Sequence, residues 1–138
     1  LKNFDIQSIQ LPVGHNEAFD YIANRHNLPA WANAFATVSA TGALLRTPMG
    51  EVDITLDVES YKANGVVDWI MKFPDGNVGK ACSRVVSVDE NNSIYSFTLF
   101  APPVPLEQLE GALNAQSKIL SGELVVLKGI LAQNAITA

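Results

Sequence analysis

One cysteine, few charges and no basic cluster mark this chain of 138 residues. With Cys82 alone, neither an intrachain disulfide framework nor a multi-thiolate metal site can form. A single thiol suits a reducing compartment, so a cytoplasmic location is expected. Nine basic residues stand scattered against fourteen acidic ones, a formal charge of −5, which is not the footprint that a phosphate backbone requires. Nucleic acid is therefore not an expected partner. No apolar run approaches the roughly 18 residues of a bilayer span, so no membrane span is expected. The chain opens on Leu1, and whether a leader precedes it stays open. Internal repeats, low-complexity tracts and linkers are also missing. At this length one core suffices, because folding removes roughly 68 % of the unfolded chain's surface, and residues 1–138 read as a single domain.

Hydrophobic residues, by contrast, make up 48 % of the chain and charged ones only 17 %, below the roughly 25 % usual in globular domains. Such a chain buries apolar surface generously. Residues 4–11, FDIQSIQL, alternate loosely up to Pro12 and predict a strand with Phe4, Ile6 and Ile9 seeking cover. Gly14 then serves as a helix N-cap, Glu17 puts a carboxylate in the first turn, and Phe19 and Ile22 share a face of a helix ending near Asn24. Pro29 disfavours the helical region at Leu28. LPAWANAF is therefore predicted to restart as a second short helix carrying Trp31 and Phe35.

From Thr37 to Phe100 the turn signals TPMG, KANG, PDGN and DENN separate consecutive strands of an antiparallel meander. In EVDITLDVES, Val52, Ile54, Leu56 and Val58 alternate with acidic and hydroxyl residues, the mark of a sheet with one wet face. The acidic row reads as that wet face and not as a metal or catalytic carboxylate site. Leucines at 106, 109, 113, 120, 124, 127 and 131 predict one amphipathic helix over 105–133. It would be about 40 Å long at 1.5 Å per residue. Pro102 and Pro103 stiffen its approach, and Pro105 suits its first turn.

A twisted sheet with one apolar face must cover that face, and only the last helix is long enough. The two short helices then have nowhere to pack except across one open end. The expected fold is α+β: a curved antiparallel sheet of six to seven strands around a long C-terminal helix, with two short helices after the first strand. FDYIANRHNLPAWANAF after a first strand, then DWIMKFPDG, SRVV and a long terminal helix, resembles the START-like superfamily (SRPBCC), in particular its polyketide cyclase/dehydrase and lipid-transport branch. The resemblance covers essentially the whole chain. It implies the helix-grip fold, shared with the birch-pollen allergen (Bet v 1-like) group, and an apolar cavity between sheet and helix. It carries over no catalytic residue.

Four-residue hairpin loops would pair Tyr61 with Val66, Phe73 with Val78 and Val88 with Ser93. The inner wall then comprises Ile54, Leu56, Val58, Val67, Trp69, Met71, Cys82, Arg84, Val86, Tyr95, Phe97 and Leu99, with Lys80 also inward. A one-residue bulge after Gly76 would instead send Gly79, Ala81 and Ser83 inward. Phe19, Ile22 and Trp31 are expected to close the mouth, and Leu113 and Leu120 to line it from the helix. An inward Arg84 needs an acceptor. Gln116 and Ser117 interrupt the leucine stripe, and Gln116 could supply one or hold a ligand, unless this is a helix edge meeting solvent. His26 extends the Phe19 face and either looks into the mouth or caps a helix end. Gly111, Gly122 and Gly129 imply close packing or room for a ligand.

Three functions fit. The favoured one is a carrier or sensor of an apolar or amphipathic small molecule, lipid- or polyketide-like, since the wall has few polar groups. The alternatives are a cyclase or dehydratase using Arg84, His26 or Tyr95, and an interaction domain with a filled cavity. Catalysis needs two groups in mutual geometry, and only isolated candidates occur, so catalytic residues are not assigned. No cofactor or metal is expected, and the chain is expected to be a monomer or homodimer.

Overall fold

In the computed structural model, which describes residues 3–47, 50–101 and 106–137, alternation and turns resolve into seven strands and three α-helices. The order is β1 (Phe4–Leu11), α1 (His15–Ala23), a 3-10 turn (Arg25–Asn27), α2 (Leu28–Trp31), β2 (Phe35–Val38), β3 (Gly42–Thr47), β4 (Gly50–Tyr61), β5 (Val66–Lys72), β6 (Val78–Asp89), β7 (Asn92–Phe100) and α3 (Leu106–Thr137). All strands lie in one antiparallel sheet ordered β1-β7-β6-β5-β4-β3-β2. This is the expected helix-grip arrangement. The expectations for Pro48 and Met49 in the TPMG turn, for Pro102, Pro103 and Pro105, and for the Leu106 and Leu109 side chains fall outside the described residues.

α2 is a single turn and does not reach Phe35. Ala32 already has extended backbone, and the Ala34 carbonyl accepts the Arg46 N–H at 2.7 Å, so Phe35 opens β2. α1 starts after Gly14, as its capping predicts. That glycine also touches the sheet: a Cβ there would stand 2.4 Å from the Glu90 carbonyl oxygen. Gly65, in the KANG turn, takes φ +73, and its Cβ would meet the Val85 carbonyl at 2.0 Å. A side chain is thus barred twice over. Both contacts bring α1 and the β4–β5 turn tightly onto β6.

α3 buries Leu113, Leu120, Leu124, Leu127 and Leu131. Within it, Glu110–Ile136 is long and apolar enough by composition to cross a membrane, with mean hydropathy 1.4. The expectation that no segment reaches that length is thereby corrected. Its leucine face covers the sheet, while Ile119, Val125, Val126 and Ile136 are exposed.

The β4–β5 register is as expected, with Tyr61 opposite Val66. The next two hairpins each differ by one residue. Lys72, not Phe73, pairs with Val78, because Phe73 closes its loop with an N–H to the Asn77 carbonyl at 2.9 Å. In the following hairpin an irregularity between Ser87 and Asp89 sets Val85, not Val86, opposite Tyr95. Gly79, Ala81, Ser83 and Val85 consequently share the inner face, and Lys80, Cys82, Arg84 and Val86 the outer one. β1 is corrected too. Ile9 and Leu11 face inward with Asp5 and Gln7, whereas Phe4 and Ile6 remain on the outer face, 41 % and 59 % exposed.

Candidate functional site

Between sheet and α3 the interior is organised around four aromatic rings. Trp69 comes from β5, Tyr95 and Phe97 from β7, and Trp31 from α2. Trp69 and Phe97 stack across β6 at 5.9 Å with 25° between planes. That reach is possible because β6 presents only Ala81 and Ser83 beneath them, opposite Trp69 and Phe97 respectively. Trp31 meets Trp69 and Tyr95 edge-on, each at 6.2 Å, and Tyr95 meets Phe97 at 6.3 Å. Edge-to-face and offset contacts of this kind are favourable beyond the area they bury.

The polar atoms of this group are anomalous. Trp31 Nε1, Trp69 Nε1 and the Tyr95 hydroxyl are buried without a hydrogen-bond partner, as are Gln116 Oε1 and Arg25 Nε. Buried polar groups are normally paired, and each one left unpaired costs about 1–3 kcal/mol. Burial pushes the Tyr95 hydroxyl pKa well above the tyrosine range; Ser83 beside it pulls the other way, and the charge of Asp68 adds to the rise. The Ser83 hydroxyl itself donates to the Val67 carbonyl. Tyr95 is therefore a neutral donor at any physiological pH.

Other expected site residues distribute as follows. Phe19, Ile22, Ile54, Leu56, Leu113 and Leu120 are buried, and Val58 and Met71 are half-buried on the inner face. Gln116 is half-buried within α3. Next to it the Ser117 carbonyl accepts the Gln7 amide at 2.8 Å, so the gap in the leucine stripe meets the polar inner side of β1. Arg84 is a correction: it lies exposed on the outer face, where its Nε donates to the Asn64 carbonyl at 3.0 Å, away from Gln116. His26 is exposed on the 3-10 turn, its N–H donating to Asn24 Oδ1 at 3.1 Å, and is not enclosed. Cys82 is half-buried on the outer face, its thiol pKa raised by burial first and by Asp68 second.

Reasoning from sequence missed Arg25, whose Nη2 donates to the carbonyl of Leu56. It follows Ile22 by three residues, a spacing that repeats one helical face, which was the available signal. Also missed was Glu123 on α3, whose half-buried carboxylate accepts the backbone N–H groups of Asn33 and Ala34. Burial raises its pKa above the ordinary 4.5, with those two hydrogen bonds opposing.

Two open concavities lie outside this interior, meeting at His15. One, about 570 Å³, is bordered by Glu17, Asp89 and Glu90, and the other, about 330 Å³, by Asn64 and Arg84. Among the described residues no group of three or more His, Cys, Asp or Glu is placed to hold a metal ion.

The sequence matches no protein-family model and no curated protein. The fold does have solved relatives. The XoxI protein of Bacillus cereus superposes with a TM-score of 0.70 at 14 % identity, over 95 % of this chain and 96 % of that one. A START superfamily protein from Mycobacterium smegmatis gives 0.67 at 8 % identity, over 96 % and 99 %. The Zhui aromatase/cyclase from Streptomyces sp. R1128 gives 0.63 at 7 % identity, over 94 % and 92 %. The chain therefore has the START-like, helix-grip fold.

Proposed function

We propose that this protein encloses an apolar or amphipathic small molecule, lipid- or polyketide-like, between the sheet and α3, and acts as its carrier or sensor. The observation that carries this reading is the set of buried, unpartnered donors on touching aromatic rings: Trp31 Nε1, Trp69 Nε1 and the Tyr95 hydroxyl. An apolar wall with a few convergent polar groups is what small-molecule sites present. The START superfamily and aromatase/cyclase neighbours support it as analogies of fold. A cyclase or dehydratase is less well supported, because Tyr95 is held neutral, His26 is exposed and Arg84 lies outside. General acid–base work requires a group that can exchange a proton near the operating pH.

Native mass spectrometry of protein purified from its own host tests the proposal. A co-purifying apolar compound, whose removal changes the fluorescence of Trp31 and Trp69, is the expected result. Protein that carries nothing and admits no apolar probe would make the ring quartet an ordinary packed core. The domain would then act through its surface, where Phe4, Ile6 and Phe100 are exposed.

A further inference from the structure

Arg25 is a cation placed where an apolar interior meets the helices that close it. Its Nη2 is committed to the carbonyl of Leu56, a residue whose own side chain is wholly buried on the inner face of β4. Its Nε is buried with no partner. Elsewhere lysines meet carboxylates, Lys62 with Asp20 at 2.9 Å and Lys72 with Asp57 at 3.4 Å. Arg25 forms no such ion pair among the described residues. A guanidinium can only donate, and in this half-buried one the Leu56 carbonyl answers Nη2 while nothing answers the buried Nε. An arginine left in this state by its own chain calls for an anion from elsewhere.

The same segment supplies a second unpartnered donor, Trp31 Nε1, on a side chain only 4 % exposed. Together with Trp69 Nε1 and the Tyr95 hydroxyl, the buried unpartnered side-chain atoms among the described residues are donors in every case except Gln116 Oε1. Indole and guanidinium groups can only donate. A hydrocarbon would leave all of them unpaired, and a ligand rich in acceptor oxygens would not.

We propose that Arg25 is the anchor for the acidic group of the bound molecule, which makes the ligand an amphipathic organic acid. This rests on the carrier reading above and specifies its chemistry. The anionic oxygen takes the free edge of the guanidinium in a charge-assisted hydrogen bond, and neutral oxygens along the ligand's body accept from the indole N–H groups.

Two fluorescent probes that differ by one sulfonate test this on the full chain: 8-anilino-1-naphthalenesulfonate and neutral N-phenyl-1-naphthylamine. Arg25→Gln keeps a donor for the Leu56 carbonyl and removes the charge, and Arg25→Lys keeps both. The sulfonate should bind the Gln variant about tenfold more weakly and the Lys variant within about threefold of the unsubstituted protein, while the neutral probe stays within about twofold in both. Arg84→Gln, on the outer face, should change neither. The anchor is overturned if the Gln variant keeps its sulfonate affinity, if both probes weaken together, if the Lys variant loses as much as the Gln variant, or if Arg84→Gln gives the same loss. Failure of the unsubstituted protein to bind either probe would instead remove the carrier reading, and the anchor with it.

Discussion

Glu123 joins two parts of the molecule through one half-buried carboxylate, which accepts N–H groups from Asn33 and Ala34 while burial raises its pKa above 4.5. A carboxyl that is more basic in the fold than in the unfolded chain holds its proton there over a pH range in which the unfolded chain has lost it. The folded state then binds more protons, so stability falls as pH rises from about 4.5 through the raised value. Glu123→Gln retains an oxygen for the two N–H groups and discards the charge. The variant should be at least as stable as the parent at pH 7.5 and should lose the decline above pH 4.5, as read by urea unfolding at both ends of that window. A less stable variant with unchanged pH dependence would mean that the two N–H groups require the full negative charge. Trp31, Trp69, Tyr95 and Phe97 sit where a reading of strand alternation and helix faces puts them. Glu123 does not announce itself, because a single charged residue in a helical stretch gives no sign of which backbone groups it will meet, and Arg25 offers only its spacing of three from Ile22.

At the level of elements, α3 and β6 behave differently under substitution. Gly122 and Gly129 lie on the exposed side of α3, with nothing within 4 Å of the place a Cβ would take. Close packing against the described residues does not account for them. Gly122→Ala and Gly129→Ala should each stabilise the protein by about 1 kcal/mol in urea unfolding, the ordinary helix-propensity difference. No gain would show that the exposed face is already occupied, for instance by another chain. Gly65→Ala should do the reverse, since φ +73 and the Val85 carbonyl both oppose it. The facing of β6 can be checked directly. In a Cys82→Ser background, Arg84→Cys should react with maleimide in the folded protein, and Ser83→Cys, at 7 % exposure, should not; the opposite pattern would reverse the strand. The facing of β6 was illegible for a definite reason. Two successive hairpins each depart by one residue from a four-residue loop, through the Phe73 to Asn77 closure and the irregularity before Asp89. The first shift turns β6 over and the second turns β7 back. Tyr95 and Phe97 were thus placed correctly by two errors that cancel, while Arg84, between them, was not. Strand alternation fixes which residues share a face, but loop closure decides which face that is.

Across the whole molecule, the two ends of the helix–sheet interior are closed to different degrees. At the end covered by α1 and α2, Leu11 and Val67 are fully buried, whereas Val52, Phe73 and Leu99, further along the strands on the inner face, are half-buried. The covering segment is tied down at several points. Asn27 donates to the Tyr21 carbonyl at 3.0 Å, Arg25 donates to the Leu56 carbonyl, and Arg46 donates from Nη1 to the Asn33 carbonyl at 2.7 Å. Each tie is a hydrogen bond over a short element, and elements with little packed area open before a sheet does. Amide hydrogen exchange should therefore show residues 25–34 opening ahead of β5, β6 and β7. Arg46→Ala removes one tie and should speed exchange at 25–34 without affecting those strands. If this segment is the gate, the association rate of the neutral naphthylamine probe should rise in the same variant. Equal protection of 25–34 and β6 would deny the segment any gating role. Faster exchange with an unchanged association rate would place the entrance at the looser end, beside Phe73, and leave α1 and α2 as a fixed floor.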